Sequence, residues 1–328
     1  IIIKALNNMV KKNICVVGAG YWGQNHLKTL DHLGSLYGVV ENNSTNLNRC
    51  VKKFNYVKTF SSIENALCDD KIDAYTICTP PETHFELSKK IIRSKKHILV
   101  EKPFTLSVKE AEKLIELSED YSVKIMVGHV LLFHPAIIKI KEMVDGGKIG
   151  KLQYIYSNRL NLGQVRTQEN VFWSLAPHDI AIFQYLIENY PTKIRASGSS
   201  FLQKGIVDST ITQLKYPNNL EGHIFVSWLH PFKEHRLVVI GSEAMISFED
   251  SSDDRLLKFY SKKFDMKDGF PEKVDGPTEE IEYERKMPLT EEIKYFIDNL
   301  DSKEIIRSSA YHGLEVTKIL VEASDQIK

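Results

Sequence analysis

The sequence predicts an α/β protein with a doubly wound parallel sheet over residues 1–130 and a second sheet-based domain over residues 131–328. Three observations carry that reading. Short apolar runs alternate with helical patterns through the first part, so a right-handed parallel sheet with helices on both faces is the economical arrangement. A Gly18-Ala19-Gly20-Tyr21-Trp22-Gly23 motif sits between the first run and the first helix. Beyond residue 150 the chain turns to longer strand-like stretches separated by turn residues such as Pro217-Asn218-Asn219 and Gly241-Ser242.

"NICVV" reads as the first strand and the stretch from Tyr21 as a helix, the context in which a GxGxxG signature acquires meaning. Gly18 permits the tight turn, Gly20 lets backbone approach a pyrophosphate, and Gly23 lets helix and strand pack closely. The helix N-terminus offers N–H groups to phosphate. A glycine turn with no ligand is the rival reading. "SLYGVVENN" is the second strand, ending in Glu41, twenty-three residues after Gly18. An acid there accepts a hydrogen bond from a ribose 2′-OH and repels a 2′-phosphate, which favours NAD over NADP. The alternative is a solvated loop acid.

Residues 72–78 form the next strand, stopped by Thr79-Pro80-Pro81, and Thr83 with Glu86 makes a capping box for the helix that follows. "KKHILVEKP" is another strand, Ser107 with Glu110 caps the helix behind it, and "VKIMVGH" is the last strand of the first domain. The glycine loop, the Thr79 loop and Lys102 therefore leave the sheet at its carboxyl edge, where open α/β sheets bind ligands. A lysine at the mouth of a sheet is costly to desolvate, so it either snorkels to water or does chemistry there.

The 328 residues are 42 % apolar and 26 % charged, ordinary values for two globular domains. Lys plus Arg equals Asp plus Glu at 43 each, so no net field recommends nucleic acid or an anionic membrane as partner. Any anionic ligand must be caught locally. Cys15, Cys50, Cys68 and Cys78 lack metal-ligand spacing and read as thiols of a reducing compartment, the cytoplasm. No HxxxH or HxxE with supporting carboxylates occurs, and no metal site is expected. The opening residues are too interrupted for a spanning helix and lack a cleavage site. Met9 is a candidate start, which makes residues 1–8 an extension.

GAGYWG, CTPPETH and EKP, in that order, resemble the Gfo/Idh/MocA family of NAD(P)-dependent sugar and polyol oxidoreductases. The resemblance implies an N-terminal Rossmann domain and a C-terminal α/β domain with a large, open, mostly antiparallel sheet. That sheet commonly serves as a subunit interface, so a homodimer or homotetramer is expected. "KLQYIYSNRLNLG", "TITQLKYPNNLEGHIFVSWLHP", "EHRLVVIGSEAMISFED" and "LLKFYSKKF" fit as its strands, and residues 177–190 as a helix. Two tail helices follow, the last expected to pack back on the first domain. The resemblance places Lys102 beside the nicotinamide and the reacting carbinol, and assigns Tyr21, Trp22, Thr79, Pro80, His84 and Glu101 to the cofactor with the glycines and Glu41. His178 matches a family histidine near the start of its helix. Ser174 stands where an aspartate is common, and Leu132 where many relatives have arginine.

"YSNRLNLGQVRTQENVFWSLAPHDI" is similar to the nucleotide-sugar branch of that family, the UDP-N-acetylglucosamine and UDP-N-acetylglucosaminuronate 3-dehydrogenases. This implies NAD-dependent oxidation of a C3 hydroxyl to a ketone. A PLP-dependent aminotransferase would then aminate it, on the way to lipid A or surface polysaccharide. Arg159, Asn161, Arg166 and Trp173 become the substrate residues, since an arginine fork suits phosphate or carboxylate. The rival view makes both arginines exposed loop charges. Lys102, near a cationic nicotinamide and partly desolvated, has its charged form disfavoured and can accept the hydroxyl proton. His178 is the alternative base, or merely caps its helix. A dehydrogenase of a free sugar or polyol and a non-catalytic NAD(P) sensor are the alternatives; an intact Lys102 and His178 argue against the sensor. His26 belongs to the first helix, and His129 and His134 read as core or hinge histidines.

Overall fold

A computed structural model describes residues 11–302 and 304–327; the extension at residues 1–8 lies outside them. The chain divides into two compact units, Ile1–Gly128 with Leu289–Leu314, and His129–Pro288 with Glu315–Lys328.

The first unit runs β1 (Ile14–Val17), α1 (Tyr21–His32), β2 (Leu36–Val40), α2 (Ser44–Lys53), β3 (Lys58–Phe60), α3 (Ile63–Leu67), β4 (Ala74–Ile77), α4 (His84–Arg93), β5 (His97–Glu101), α5 (Val108–Asp120) and β6 (Ile125–Gly128). Its six strands are all parallel, in the order β3-β2-β1-β4-β5-β6. Helices cover both faces, so β1 and β4 are buried at every residue and read as continuous apolar runs rather than alternating ones. Strand order reverses between β1 and β4, which opens a crevice outside their carboxyl ends.

The capping box expected at Thr83 does not form. The Thr83 hydroxyl instead donates backwards to the Pro80 carbonyl at 2.7 Å, because Pro81–Thr83 is a 3-10 turn leading into α4. Ser107 does cap α5, accepting from the Glu110 N–H at 3.3 Å.

The second unit continues with α6 (Pro135–Asp145), β7 (Leu152–Leu162), α7 (Val171–Ile187), β8 (Lys193–Ser199), β9 (Ser209–Lys215), β10 (Glu221–Ser227), β11 (Leu229–Gly241), β12 (Met245–Glu249), β13 (Leu257–Lys267) and β14 (Phe270–Glu280). The eight strands lie in the order β14-β13-β12-β11-β7-β10-β9-β8, antiparallel except for the central β7–β10 pair. One face carries α7. A side chain at Gly222 of β10 would meet the Phe183 ring of α7 at 2.9 Å, so glycine there lets the helix close onto the sheet. The opposite face is half-exposed, and at its centre Tyr156 stacks on His223 with ring centroids 5.1 Å apart.

Helix α7 begins at Val171 rather than 177. Asn170 accepts from the Trp173 N–H at 3.1 Å and caps it, Val171 and Phe172 are buried, and Pro177 is carried inside the helix. Edge strands β8 and β14 went unforeseen: β14 contains Pro271, Gly276 and Pro277, residues that only an edge or bulged strand tolerates.

The tail forms α8 (Pro288–Asp298) and α9 (Ala310–Ser324). Residues through Leu314 belong to the first unit and the remainder of α9 to the second. Within the first unit this segment covers the free edge of β6. The Val127 N–H donates to the Ser308 carbonyl at 2.9 Å, the Ser308 hydroxyl donates to the Val127 carbonyl at 2.6 Å, and Met126 forms a single antiparallel bridge with Ser309. Lys124 Nζ donates to the carbonyls of Asn299 and Leu300 at 2.9 and 2.7 Å. Among the described residues no helix is long and apolar enough to cross a membrane.

Candidate active site

At the carboxyl edge of the parallel sheet, Gly18 has φ +89°, and a Cβ on it would stand 2.8 Å from Thr79 Cγ2 and 3.1 Å from the Cys78 carbonyl oxygen. The loops after β1 and β4 therefore touch only because residue 18 is glycine. A Cβ on Gly23 would lie 2.0 Å from the Gly18 carbonyl oxygen, which fixes how closely α1 approaches its own loop. Gly20 differs: it is the N-cap of α1, and among the described residues no side chain caps the helix, no acid lies in its first turn, and no atom beyond its chain neighbours lies within 4 Å of where its Cβ would be. Open space in front of uncapped N–H groups fits a diphosphate. Tyr21 and Trp22 occupy the same turn, Tyr21 almost wholly exposed.

Glu41 is held by the backbone on both sides, accepting from the Ala19 N–H and the Asn43 N–H, each at 2.8 Å. Fixed beside the glycine loop and acceptor-only, it fits a donating ribose hydroxyl. Together Gly18, Gly20, Gly23 and Glu41 fit an adenine dinucleotide.

His84 is fully buried. One ring nitrogen lies 2.8 Å from the Pro103 carbonyl and the other 3.0 Å from the Thr79 carbonyl, so the ring sits between the Thr79 and Pro103 loops and its one N–H donates to one of them. Burial holds its pKa below the usual imidazole value. His84, expected among the cofactor contacts, shapes the loops that carry Thr79 and Pro80.

Lys102 is half-buried at the end of β5 and joined to Pro103 by a cis peptide. Behind it the Glu101 carboxylate gathers three donors. The Trp22 indole N–H reaches Oε1 at 2.5 Å, His26 Nε2 reaches the same oxygen at 2.8 Å, and the Lys102 N–H reaches Oε2 at 3.2 Å. Gly128 of β6 makes room for it, since a Cβ there would fall 2.9 Å from Glu101 Oε2. Sequence reasoning missed His26 as part of this cluster. Its spacing from Trp22, i to i+4 on one face of α1, is the signal that was available.

In the second unit, His178 lies half-buried in the second turn of α7. Arg159 is buried and bidentate: Nε donates to Asp179 Oδ2 at 2.8 Å and an Nη to Oδ1 at 3.0 Å, while the Ser157 hydroxyl donates to Oδ1 at 2.5 Å. The guanidinium pins β7 to α7 and is neither a loop charge nor a free fork. Its charge, after burial, helps push the His235 imidazole down to about 3. Arg166 is exposed, its nearest acid being Glu169 at 3.7 Å. Asn161 is half-buried against Gly163, and Trp173 donates its indole N–H to the Ser324 hydroxyl at 2.8 Å. His134 caps α6, accepting from the Ala136 N–H at 3.1 Å.

A doubly wound sheet with a dinucleotide edge, followed by an open antiparallel sheet, defines the two-unit class of NAD(P)-linked oxidoreductases. The chain belongs to the Gfo/Idh/MocA family: residues 12–129 match its "Oxidoreductase family, NAD-binding Rossmann fold" profile and residues 137–247 its C-terminal domain. Among curated relatives, the UDP-N-acetylglucosamine 3-dehydrogenase of Acidithiobacillus ferrooxidans is 28 % identical over 58 % of this chain and 59 % of its own length. The scyllo-inositol 2-dehydrogenase (NAD(+)) of Bacillus subtilis is 30 % identical over 54 % of this chain and 55 % of its own. The myo-inositol 2-dehydrogenase of Thermotoga maritima is 25 % identical over 71 % and 74 %. The match thus spans little more than half the length of the first two. The solved structure of the Acidithiobacillus enzyme superposes with a TM-score of 0.86 at 22 % identity, over 97 % of this chain and 98 % of that one, a likeness of fold.

Proposed function

We propose that this chain is an NAD-dependent dehydrogenase that oxidises the C3 hydroxyl of a UDP-N-acetylglucosamine-type sugar, or of its uronate, to a 3-keto sugar. The observation that carries the redox half is Lys102, set at the carboxyl edge of the sheet that also presents the Gly18 and Thr79 loops. The substrate half is supported by the 28 % identical 3-dehydrogenase and by the similarity of residues 156–180 to that branch.

Bound NAD⁺ supplies the hydride acceptor. Lys102 takes the hydroxyl proton as the C3–H bond breaks, and His178 is the second group able to hold it. Glu41 favours NAD by occupying the place a 2′-phosphate needs. Because Arg159 is spent on Asp179, the diphosphate falls to Arg166, with Asn161 and Trp173 toward the sugar. The ketone is a natural feed for a PLP-dependent aminotransferase in the cytoplasm. Oxidation of a free inositol is the second reading, favoured by the 30 % identical relative.

The sheet face opposite α7 is proposed to bind a second copy of the chain. Tyr154, Tyr156, His223, Phe225, Val238 and Ile240 form its half-exposed centre. Sedimentation at micromolar concentration should give a dimer or tetramer; a monodisperse monomer would remove this part of the proposal.

The decisive assay is NADH formation from NAD⁺ with UDP-N-acetylglucosamine, its uronate, or scyllo- and myo-inositol, with an aminotransferase and amino donor to draw off ketone. Turnover of a UDP-sugar that vanishes in Lys102→Ala supports the reading. Turnover of inositols alone transfers it to the second.

A further inference from the structure

His84, the first residue of α4, is fully buried between two carbonyl oxygens. Its Nδ1 lies 2.8 Å from the Pro103 oxygen and its Nε2 3.0 Å from the Thr79 oxygen. Both neighbours only accept, so a ring that served the two together would have to carry two protons. Burial holds its pKa below the usual imidazole value, and the neutral ring has a single N–H. One of the two carbonyls therefore faces a nitrogen lone pair.

Access to water decides which. Pro103 is buried, as are Phe104 and Thr105 after it, and the contact from Nδ1 lies in the interior. A carbonyl there has no water to turn to and is costly to leave without a donor. Thr79 is half-exposed and its contact with Nε2 only partly buried, so its carbonyl keeps a route to solvent. The proton belongs on Nδ1.

This asymmetry bears on Lys102, which precedes Pro103 in the chain. The Lys102 N–H donates to Glu101 Oε2 at 3.2 Å on one side, and the Pro103 carbonyl accepts from His84 on the other. The turn that carries the lysine is thus tied at both ends, within the first unit.

We propose that His84 is a positioning residue of the redox edge: as the Nδ1–H tautomer it anchors the Lys102–Pro103 turn through the Pro103 carbonyl and leaves the Thr79 carbonyl to water. The inference rests on the reading of Lys102 as the reacting base. His84 transfers no proton; it keeps the backbone that carries Lys102 in place.

Two readouts test it on the full chain. In long-range proton–nitrogen spectra of protein isotope-labelled at its histidine nitrogens, the pair of signals missing from His84→Asn should show a protonated Nδ1 and a bare Nε2. The reverse pattern, or two protonated nitrogens, overturns the proposal. In kinetics, His84→Leu should lower kcat by up to about a hundredfold, the scale of a reacting group displaced by an ångström, with the KM for NAD⁺ little changed. His84→Asn puts an amide nitrogen close to where Nδ1 stands and should recover most of that loss, whereas His84→Gln, whose nitrogen falls nearer the place of Nε2, should not. Wild-type kcat in His84→Leu, or equal kcat in the two amide variants, overturns the proposal. Where His84→Leu does not fold, the comparison of His84→Asn with His84→Gln and the spectra decide. Lys102→Ala separates the two readings: full turnover in that variant removes the assignment of the base, while the spectra still report which carbonyl His84 holds.

Discussion

In the second unit the buried Arg159 guanidinium meets Asp179 through two hydrogen bonds and Ser157 adds a third to the same carboxylate. In the first, the buried Glu292 carboxyl oxygens have no hydrogen-bond partner among the described residues, and burial, with the Glu101 charge second, holds that carboxyl well above the usual carboxylate range. The contrast separates two uses of interior charge. A matched pair with its lone pairs filled holds β7 against α7, and its chemistry ends there. A carboxyl buried without a partner is costly to ionise, and perturbation of that sort concentrates where a protein does chemistry.

The sharpest way to break this comparison is to strike one residue on each side. Lys102→Ala should cut kcat by roughly 10²–10⁴-fold, the usual worth of a positioned proton acceptor, while NAD affinity measured by fluorescence titration and the thermal midpoint stay near wild type. Asp179→Ala should do the reverse. It strands a buried guanidinium and should cost about 3–5 kcal/mol in denaturant unfolding, most of it recovered in Arg159→Met with Asp179→Leu, where both charges are gone. A loss below about 1 kcal/mol, the range of an exposed pair, would show that the ion pair is not what joins β7 to α7.

A smaller effect tests the unpartnered side. Because the folded-state pKa of Glu292 is raised, the folded protein keeps a proton that the unfolded chain releases above about pH 4.3. Stability contributed by this group is therefore full below that pH. It declines by about 1.4 kcal/mol per pH unit as pH climbs toward the folded-state pKa. Glu292→Gln has no proton to lose, so its stability relative to wild type should grow with pH over that window; parallel curves would mean the acid is ionised in the fold. Smallest of all, Thr83→Ala should stay within about 0.5 kcal/mol, since no cap bond to α4 is lost; the full cost of a broken cap, about 1 kcal/mol, would restore the capping box.

The same contrast explains what the sequence made legible. GAGYWG, CTPPETH and EKP announce themselves because glycine turns and proline stops are local, set by the conformations of a few adjacent residues, and the carboxyl edge follows from strand–helix alternation. His84 and Arg159 were legible as chemistry but not as placement. Each is turned inward by a partner far along the chain or in another loop, Pro103 for one and Asp179 for the other. Glu292 left a faint local signal, an acid four residues before Phe296 on the apolar face of α8, but its complete burial depends on the tertiary fold alone. Strands β8 and β14 take their form from the neighbours they pair with, β9 and β13, rather than from their own composition.

The cover on the β6 edge has a consequence during synthesis. Val127 is capped by Ser308, 181 residues downstream, so at about 5–20 residues per second a ribosome needs roughly ten to forty seconds to deliver it after β6 has been made. Through that interval the nascent sheet carries an unpaired outer strand, the template that stray chains recruit. For a polypeptide that depends on its tail to finish its head, the pace of translation and the chaperones at the tunnel mouth belong to the folding problem as much as the cofactor edge does.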